Sequence, residues 1–205
     1  YYRRFVLGEW VAAEGAIYDM WDEERHIVDQ IPTADRVLAV GVDHGSTNPF
    51  HAVALVLGVD GCLYITTEYR YDGKTARRSM SDVEYSQALR GWMSEQGLAP
   101  QWVVVDPAAA PFRTQLRNDG VFPKLGDNEV LPGIRTVASL LHLGKLKVHR
   151  SCEWLISEIP GYSWDDEKAL KGEDAPIKVA DHGLDAMRYA LHTTRRLWRP
   201  YVLAA

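Results

Sequence analysis

The sequence predicts an α/β fold. One mixed sheet opens as an antiparallel three-strand meander, continues with parallel strands and is flanked by helices. Three observations predict it. The apolar, β-branched run "RVLAVGVD" is followed at once by "FHAVALVLGVDGCLYITTEYRYDG", two further strand-like runs about a "GVDG" turn. Beyond a helical segment, "QWVVVDPAAAPF" gives another buried strand and, after a helix, "VFPKL" a further short one. Finally, two apolar strands each end on a lone aspartate, Asp43 and Asp106, as at the ligand-binding edge of an open α/β sheet.

Taken in order, residues 1–35 are mixed, aromatic and acidic, without clean periodicity. They are expected to be a lead-in segment anchored by Trp10, Ile17, Tyr18 and Trp21. The three meander strands follow. "SDVEYSQALRGWMSEQGLAP" has a Ser or Asp cap and an early Glu84. Val83, Ala88, Leu89 and Trp92 are its apolar positions, and it stops at Gly97 and Pro100, so it is a helix. After the strand ending at Asp106, "APFRTQLRNDG" is a short helix closed by Gly120. "VLPGIRTVASLLHLGKLKVHRS" is a helix, a glycine stop at Gly144 and a short extended piece. "CEWLISEIPGYSWDD" is a helix broken by Pro160 and Gly161, "EKALKGEDAPIKVA" a polar loop, and "DHGLDAMRYALHTTRRLW" the last helix.

At 205 residues the chain is large enough for one domain with a substantial core. Its 46% hydrophobic and 25% charged content is that of a soluble globular protein, with no signal peptide and no apolar run long enough for a membrane span. Cys62 and Cys152 sit beside apolar segments and read as reduced thiols rather than a disulfide. A net charge of −5 does not advertise a nucleic-acid binder, although acids gathered at a metal site leave room for a basic face elsewhere. The opening "YYRRFVLGEW", without methionine, suggests a piece of a longer polypeptide.

Carboxylates at adjacent strand ends repel unless one is protonated or divalent cations sit between them. A third acid comes in "VADHGLDAMRYAL": Asp185 lies in the first turns of the last helix, with His182 three residues earlier on the same face. Asp181 reads as the helix N-cap. Singly, each of these acids fits a turn or a cap; together they point to a metal site.

With those residues assembled, the chain resembles the C-terminal nuclease domain of the large terminase subunit of tailed bacteriophages. Four stretches carry the resemblance, in this order: "RRFVLGEWVAAEGAIYDMW"; "VGVDHGSTNPFHAVALV" with "WVVVDPAAAPF"; "VLPGIRTVASLLHLGKLKVHRSCEWLISEI"; and "VADHGLDAMRYAL". It implies an RNase H-like fold over residues 36–205, with residues 1–35 joining it to a missing N-terminal ATPase domain. It further implies endonucleolytic hydrolysis of concatemeric double-stranded DNA with two divalent cations, Mg²⁺ or Mn²⁺. The acids matching the family's positions are Asp43, Asp106 and Asp185, with His182 near the metals. The implied partners are DNA, the ATPase domain, the small terminase subunit and the portal, in the cytoplasm of the infected bacterial host and away from any membrane. No GxxxxGK[ST] loop occurs, so ATP hydrolysis is not expected of this chain.

Basic residues gather in three places: Arg70, Lys74, Arg77 and Arg78; Lys145, Lys147 and Arg150; and Arg188, Arg195, Arg196 and Arg199. The first cluster, interleaved with Tyr69 and Tyr71, is the expected phosphate contact. The rival readings are an RNase H-like Holliday-junction resolvase or transposase core, an actin- or sugar-kinase-like ATPase suggested by "GVDHGSTN", and a non-catalytic DNA- or portal-binding module. The kinase reading lacks a second glycine-rich phosphate turn, and the non-catalytic one leaves the strand-end acids unexplained. The turn after Asp43, with its glycines and Ser46, is expected to stay small so that a DNA backbone can approach.

Overall fold

In a computed structural model, residues 15–45, 49–169 and 173–203 are described. Trp10 and Ser46 lie outside them. The first helix, α1 (Glu23–His26), is capped by the Asp22 carboxylate and runs straight into β1 (Ile27–Val28). β2 (Ala34–Asp43), β3 (Phe50–Gly58) and β4 (Leu63–Tyr71) pair as the expected antiparallel meander. Next come α2 (Asp82–Glu95), β5 (Trp102–Val105), α3 (Ala110–Asn118) and β6 (Lys124–Leu125). α4 (Val130–His142), β7 (Leu146–His149) and α5 (Glu153–Glu158) follow, α5 passing into a 3-10 turn at Ile159–Gly161. α6 (Asp166–Ala169), α7 (His182–Thr193) and α8 (Arg195–Val202) complete the described chain.

The described strands form one sheet in the order β1-β7-β4-β3-β2-β5-β6. β5 runs parallel to β2, and β6 parallel to β5. On the other side, β7 runs parallel to β4, and β1 to β7. The short piece after Gly144 is therefore a sheet strand, and β1 comes from within the segment expected to lead in to the domain. Ile17 and Tyr18 are buried in the main core, and Trp21 stacks on His26 with ring centroids 5.2 Å apart.

The central strands are apolar without alternation because both faces of the sheet are covered. Val53, Leu55 and Leu57 of β3 join the core beneath α4 and α7, while Phe50, Ala52 and Ala54 pack with Leu89 and Trp92 of α2 and Phe112 and Leu116 of α3. Full burial of each large side chain among them contributes about 1.5–3 kcal/mol. α7 lies so close on β2 that a Cβ at Gly41 would come 2.1 Å from the Ala186 carbonyl oxygen.

Helix α2 starts on the expected capping box, with Ser81 and Glu84 each satisfying the other's backbone N–H. Its buried face is Tyr85, Ser86, Leu89, Trp92 and Met93. Val83, expected inside, is exposed instead, on the opposite face with Gln87 and Arg90. The expected single closing helix breaks at Thr194, whose hydroxyl donates back to the Ala190 carbonyl at 2.6 Å. The expected polar loop holds the single turn α6. Both cysteines are free, Cys152 fully buried.

Candidate active site

β2 and β5 are parallel neighbours with Val42 opposite Val105, so the residue after each of these reaches the same carboxyl-end edge of the sheet. Those residues are Asp43 and Asp106, and the Asp106 backbone N–H donates to the Val42 carbonyl at 3.1 Å. Asp106 also folds its carboxylate back to accept from the Ala108 N–H at 2.8 Å, which begins the turn into α3. Helix α7 brings its first turn to Asp43: His182 Nδ1 lies 2.9 Å from Asp43 Oδ2. Asp185, one turn on, is buried to the same degree as Asp43, each 8% exposed.

The charges are mutually felt. Burial raises the Asp43 pKa, and Asp185 and Asp106 raise it further, against the hydrogen bond from His182, which works to lower it. That same hydrogen bond raises the His182 pKa, over the opposing effect of its own burial. Asp185 is held by two cations: Lys178 Nζ donates to Oδ2 at 2.8 Å, and Arg188 donates to Oδ1 at 3.0 Å. Burial opposes the charge on Lys178, yet Asp185 and Asp181 outweigh it and hold the ammonium pKa up.

Asp181 stands at the N-cap position of α7, but its side chain accepts no capping hydrogen bond; it faces Lys178 at 3.0 Å instead. The cap comes from elsewhere in the chain. Glu158, at the end of α5, accepts from the Gly183 N–H at 2.7 Å and the Leu184 N–H at 3.2 Å. Glu68 of β4 does the same for α5, accepting from the Trp154 and Leu155 N–H groups at 2.8 and 3.0 Å. Buried His51 lies between the two acids, 2.9 Å from Glu68 and 3.9 Å from Glu158. A Cβ at Gly183 would strike His51 and Glu158, at 2.7 and 2.9 Å, so only glycine lets the helix end come so close. Burial lifts the Glu158 pKa to about 8, against the two backbone N–H bonds and the charges of His182 and Arg70.

Sequence reasoning missed Glu158, Glu68, His51 and Lys178. The available signal was polar residues inside apolar strands: His51 pairs directly with Asp43 across β2 and β3, and Glu68 is its diagonal neighbour on β4.

Beside Asp106 a cavity of about 450 Å³ is lined by His44, Gly45, Asp82, Ala109, Pro111 and Phe112. His44 Nε2 is 3.2 Å from Asp82, and burial lowers its pKa.

The three acids suit divalent cations in chemistry, since all are carboxylates gathered at one strand edge and Asp43 is burdened by the charge of the other two. Their oxygens nevertheless do not draw together as tightly as ligands do. Among the described residues, the group whose ligand atoms all lie within 4.8 Å of one another is Asp127, Glu129 and His192, elsewhere on the fold. Asp185 lies against Lys178 and Arg188 instead.

Five of the eleven residues in the basic clusters are committed to pairs or stacks within the fold. Arg70 lies in β4 rather than in the following loop, its guanidinium stacked 4.1 Å over Trp154. Arg78 pairs with Glu84, Arg150 with Asp29, and Arg195 with Asp127. Tyr69 packs on Trp92, and Tyr71 donates to the Arg78 carbonyl. Lys74 and Arg77 are exposed, and no ion pair is formed by either among the described residues. No helix among the described residues is long and apolar enough to cross a membrane.

No protein-family model matches the chain. The large terminase subunit of Escherichia phage T5 is 24% identical over 209 residues, spanning 96% of this chain and 46% of that protein. The large terminase of a thermophilic bacteriophage superposes with a TM-score of 0.81 and 37% identity, over 94% of this chain and 48% of that one. The chain thus spans about half the length of these relatives. The large terminase nuclease of thermophilic phage G20c, solved with bound magnesium, superposes with a TM-score of 0.63 and 15% identity, over 88% of this chain and 98% of that one. The chain resembles the nuclease domain of large terminase subunits, and its meander continued by parallel strands is an RNase H-like fold.

Proposed function

We propose that this homologue of terminase large subunits is the metal-dependent DNA endonuclease of a viral packaging motor, cutting concatemeric double-stranded DNA. One observation carries the reading: Asp43, Asp106 and Asp185 gather at the carboxyl-end edge of the sheet, close enough for the last two to raise the pKa of the first. The likeness to the 37%-identical thermophilic-phage terminase and to the magnesium-bound G20c nuclease supports it.

Asp43, Asp106 and Asp185 would together hold two divalent ions, Mg²⁺ or Mn²⁺, Asp43 being the acid that feels the charge of the other two. Such ions lower the pKa of an attacking water and neutralise charge on the leaving oxygen. The chain's own groups orient and move protons. His182 has one ring nitrogen engaged by Asp43, so its other nitrogen is the atom that can take a proton from the water. Lys178 and Arg188 hold Asp185 in place until a cation competes for it. Glu158 fixes the start of α7, and with it the positions of His182 and Asp185. Lys74 and Arg77 supply phosphate contacts, with Arg70 and Arg78 beside them. In the full-length protein, residues 1–35 would lead from an ATPase domain, and the small subunit and portal would be partners in the host cytoplasm. ATP hydrolysis is not expected of this part alone.

The test is supercoiled plasmid incubated with the chain in Mg²⁺, Mn²⁺ or EDTA. Nicking and linearisation with either metal, abolished by EDTA and by Asp43→Asn, is the expected result. Intact plasmid with both metals would count against an active nuclease in this domain.

A further inference from the structure

We propose that Asp127, Glu129 and His192 form a second metal site, selective for a borderline transition ion such as Zn²⁺ and separate from the strand-end acids. His192 lies near the end of α7, seven residues after Asp185, which places it about 10.5 Å further along the helix axis. Asp127 and Glu129 lie in the connection between β6 and α4. The ligand atoms of the three residues lie within 4.8 Å of one another.

The histidine points to a ligand independently of the acids. Its side chain is buried, 5% exposed, and its Nε2 has no hydrogen-bond partner although it lies 3.4 Å from Asp127 Oδ2. The other nitrogen, Nδ1, is 2.8 Å from the Thr136 hydroxyl. That hydroxyl has a single proton and donates it to the Pro132 carbonyl at 2.9 Å. It therefore accepts from His192 Nδ1–H, which leaves the Nε2 lone pair bare and facing a carboxylate. Nε2 is thus a buried acceptor without a donor, facing a carboxylate that only Arg195 neutralises, and a metal ion is the partner that would satisfy both. A second-sphere bond on the far nitrogen is also how metal-bound histidines are held.

The acid-bearing loop is pinned before any ion arrives. The Gly126 N–H donates to the Val105 carbonyl at 2.9 Å, and the Asp127 N–H to the Thr193 hydroxyl at 2.9 Å. Glu129 is exposed and offers the way in. One imidazole with two carboxylates suits Zn²⁺ or Co²⁺, whereas Mg²⁺ takes oxygen ligands and avoids imidazole. In the ion-free state Arg195 Nη1 occupies Asp127 Oδ2 at 2.9 Å; an incoming ion displaces this half-exposed side chain. The bound ion would tie the far end of α7 to the start of α4.

The experiment is calorimetric titration of the EDTA-stripped chain with Zn²⁺ in excess Mg²⁺, which fills the oxygen-only site. One Zn²⁺ per chain is expected, bound equally by the wild type and by Asp185→Asn. Glu129→Gln, an exposed change that leaves folding alone, should weaken it by at least about tenfold, and His192→Ala further. Arg195→Ala should tighten it by removing the competing guanidinium. Absence of a Zn²⁺ that survives Mg²⁺, its loss in Asp185→Asn, or affinity indifferent to both Glu129→Gln and Arg195→Ala overturns the site.

Discussion

Asp43 is the residue on which stability and the proposed chemistry conflict. Its pKa is raised by burial and by Asp185 and Asp106, so between the unfolded and folded values the native chain holds the extra proton. Stability therefore falls as pH rises through that window. His182 acts in the same direction: its raised pKa adds stability that is present below the unfolded value and lost as pH rises through the folded one. Asp43→Asn should then abolish plasmid cleavage while raising Tm by a few degrees at neutral pH, measured by thermal unfolding without metal. A lower Tm with folding intact would show that the hydrogen bond to His182 outweighs the buried charge. The acids at 43, 106 and 185 were legible because each ends or opens an element on an otherwise apolar run. Lys178 was not, because nothing in a polar loop says which of its lysines turns back to a carboxylate.

At the scale of elements, the candidate site depends on two helix ends capped from a distance. Glu68 holds α5 and Glu158 holds α7, with His51 between them. Glu158→Ala should cost about 1–2 kcal/mol for the lost cap, seen in urea unfolding. Glu158→Gln keeps an oxygen for the Gly183 N–H and should retain most of that. Because the Glu158 pKa is lifted to about 8, wild-type stability should fall as pH rises from the ordinary carboxylate range to that value. His51, Glu68, Arg70 and His182 are the titratable or charged groups around it. The glutamine variant should flatten this part of the stability curve. The helix itself was legible in "DHGLDAMRYAL", but Asp181 looked like its cap by sequence proximity. A carboxylate supplied from α5 is a tertiary contact that spacing cannot report. Gly41 is a second case: Gly41→Ala places its Cβ 2.1 Å from the Ala186 oxygen, and the expected loss is about 1–3 kcal/mol by chemical denaturation.

Across the whole molecule, the question is how an acidic chain meets DNA. Of the eleven basic residues grouped by sequence, Arg70, Arg78, Arg150, Arg188 and Arg195 are drawn into pairs or stacks within the fold, and the first cluster keeps Lys74 and Arg77 exposed beside the meander. Replacing both by alanine should weaken duplex binding about equally for all sequences. The slope of log K against log salt should fall by about 2, measured by fluorescence anisotropy across a salt series. Unchanged slope would move the DNA path to another face. Sheet order at this scale was only half legible. The meander and β5 followed from runs of β-branched residues joined by short turns. The far edge did not, because β1 and β7 are too short to show a period and are joined only by parallel pairing across the chain.

The sequence by itself determined the α/β class, the antiparallel opening, the capping box of α2 and the acids at strand ends, because each follows from local pattern: residue period, turn chemistry and a charge where greasy residues stop. Tertiary structure alone decided which carboxylates cap which helices, which arginines are already paired, and that His192 meets Asp127. Those contacts join residues far apart in the chain, where burial and distance, rather than spacing, set the partner.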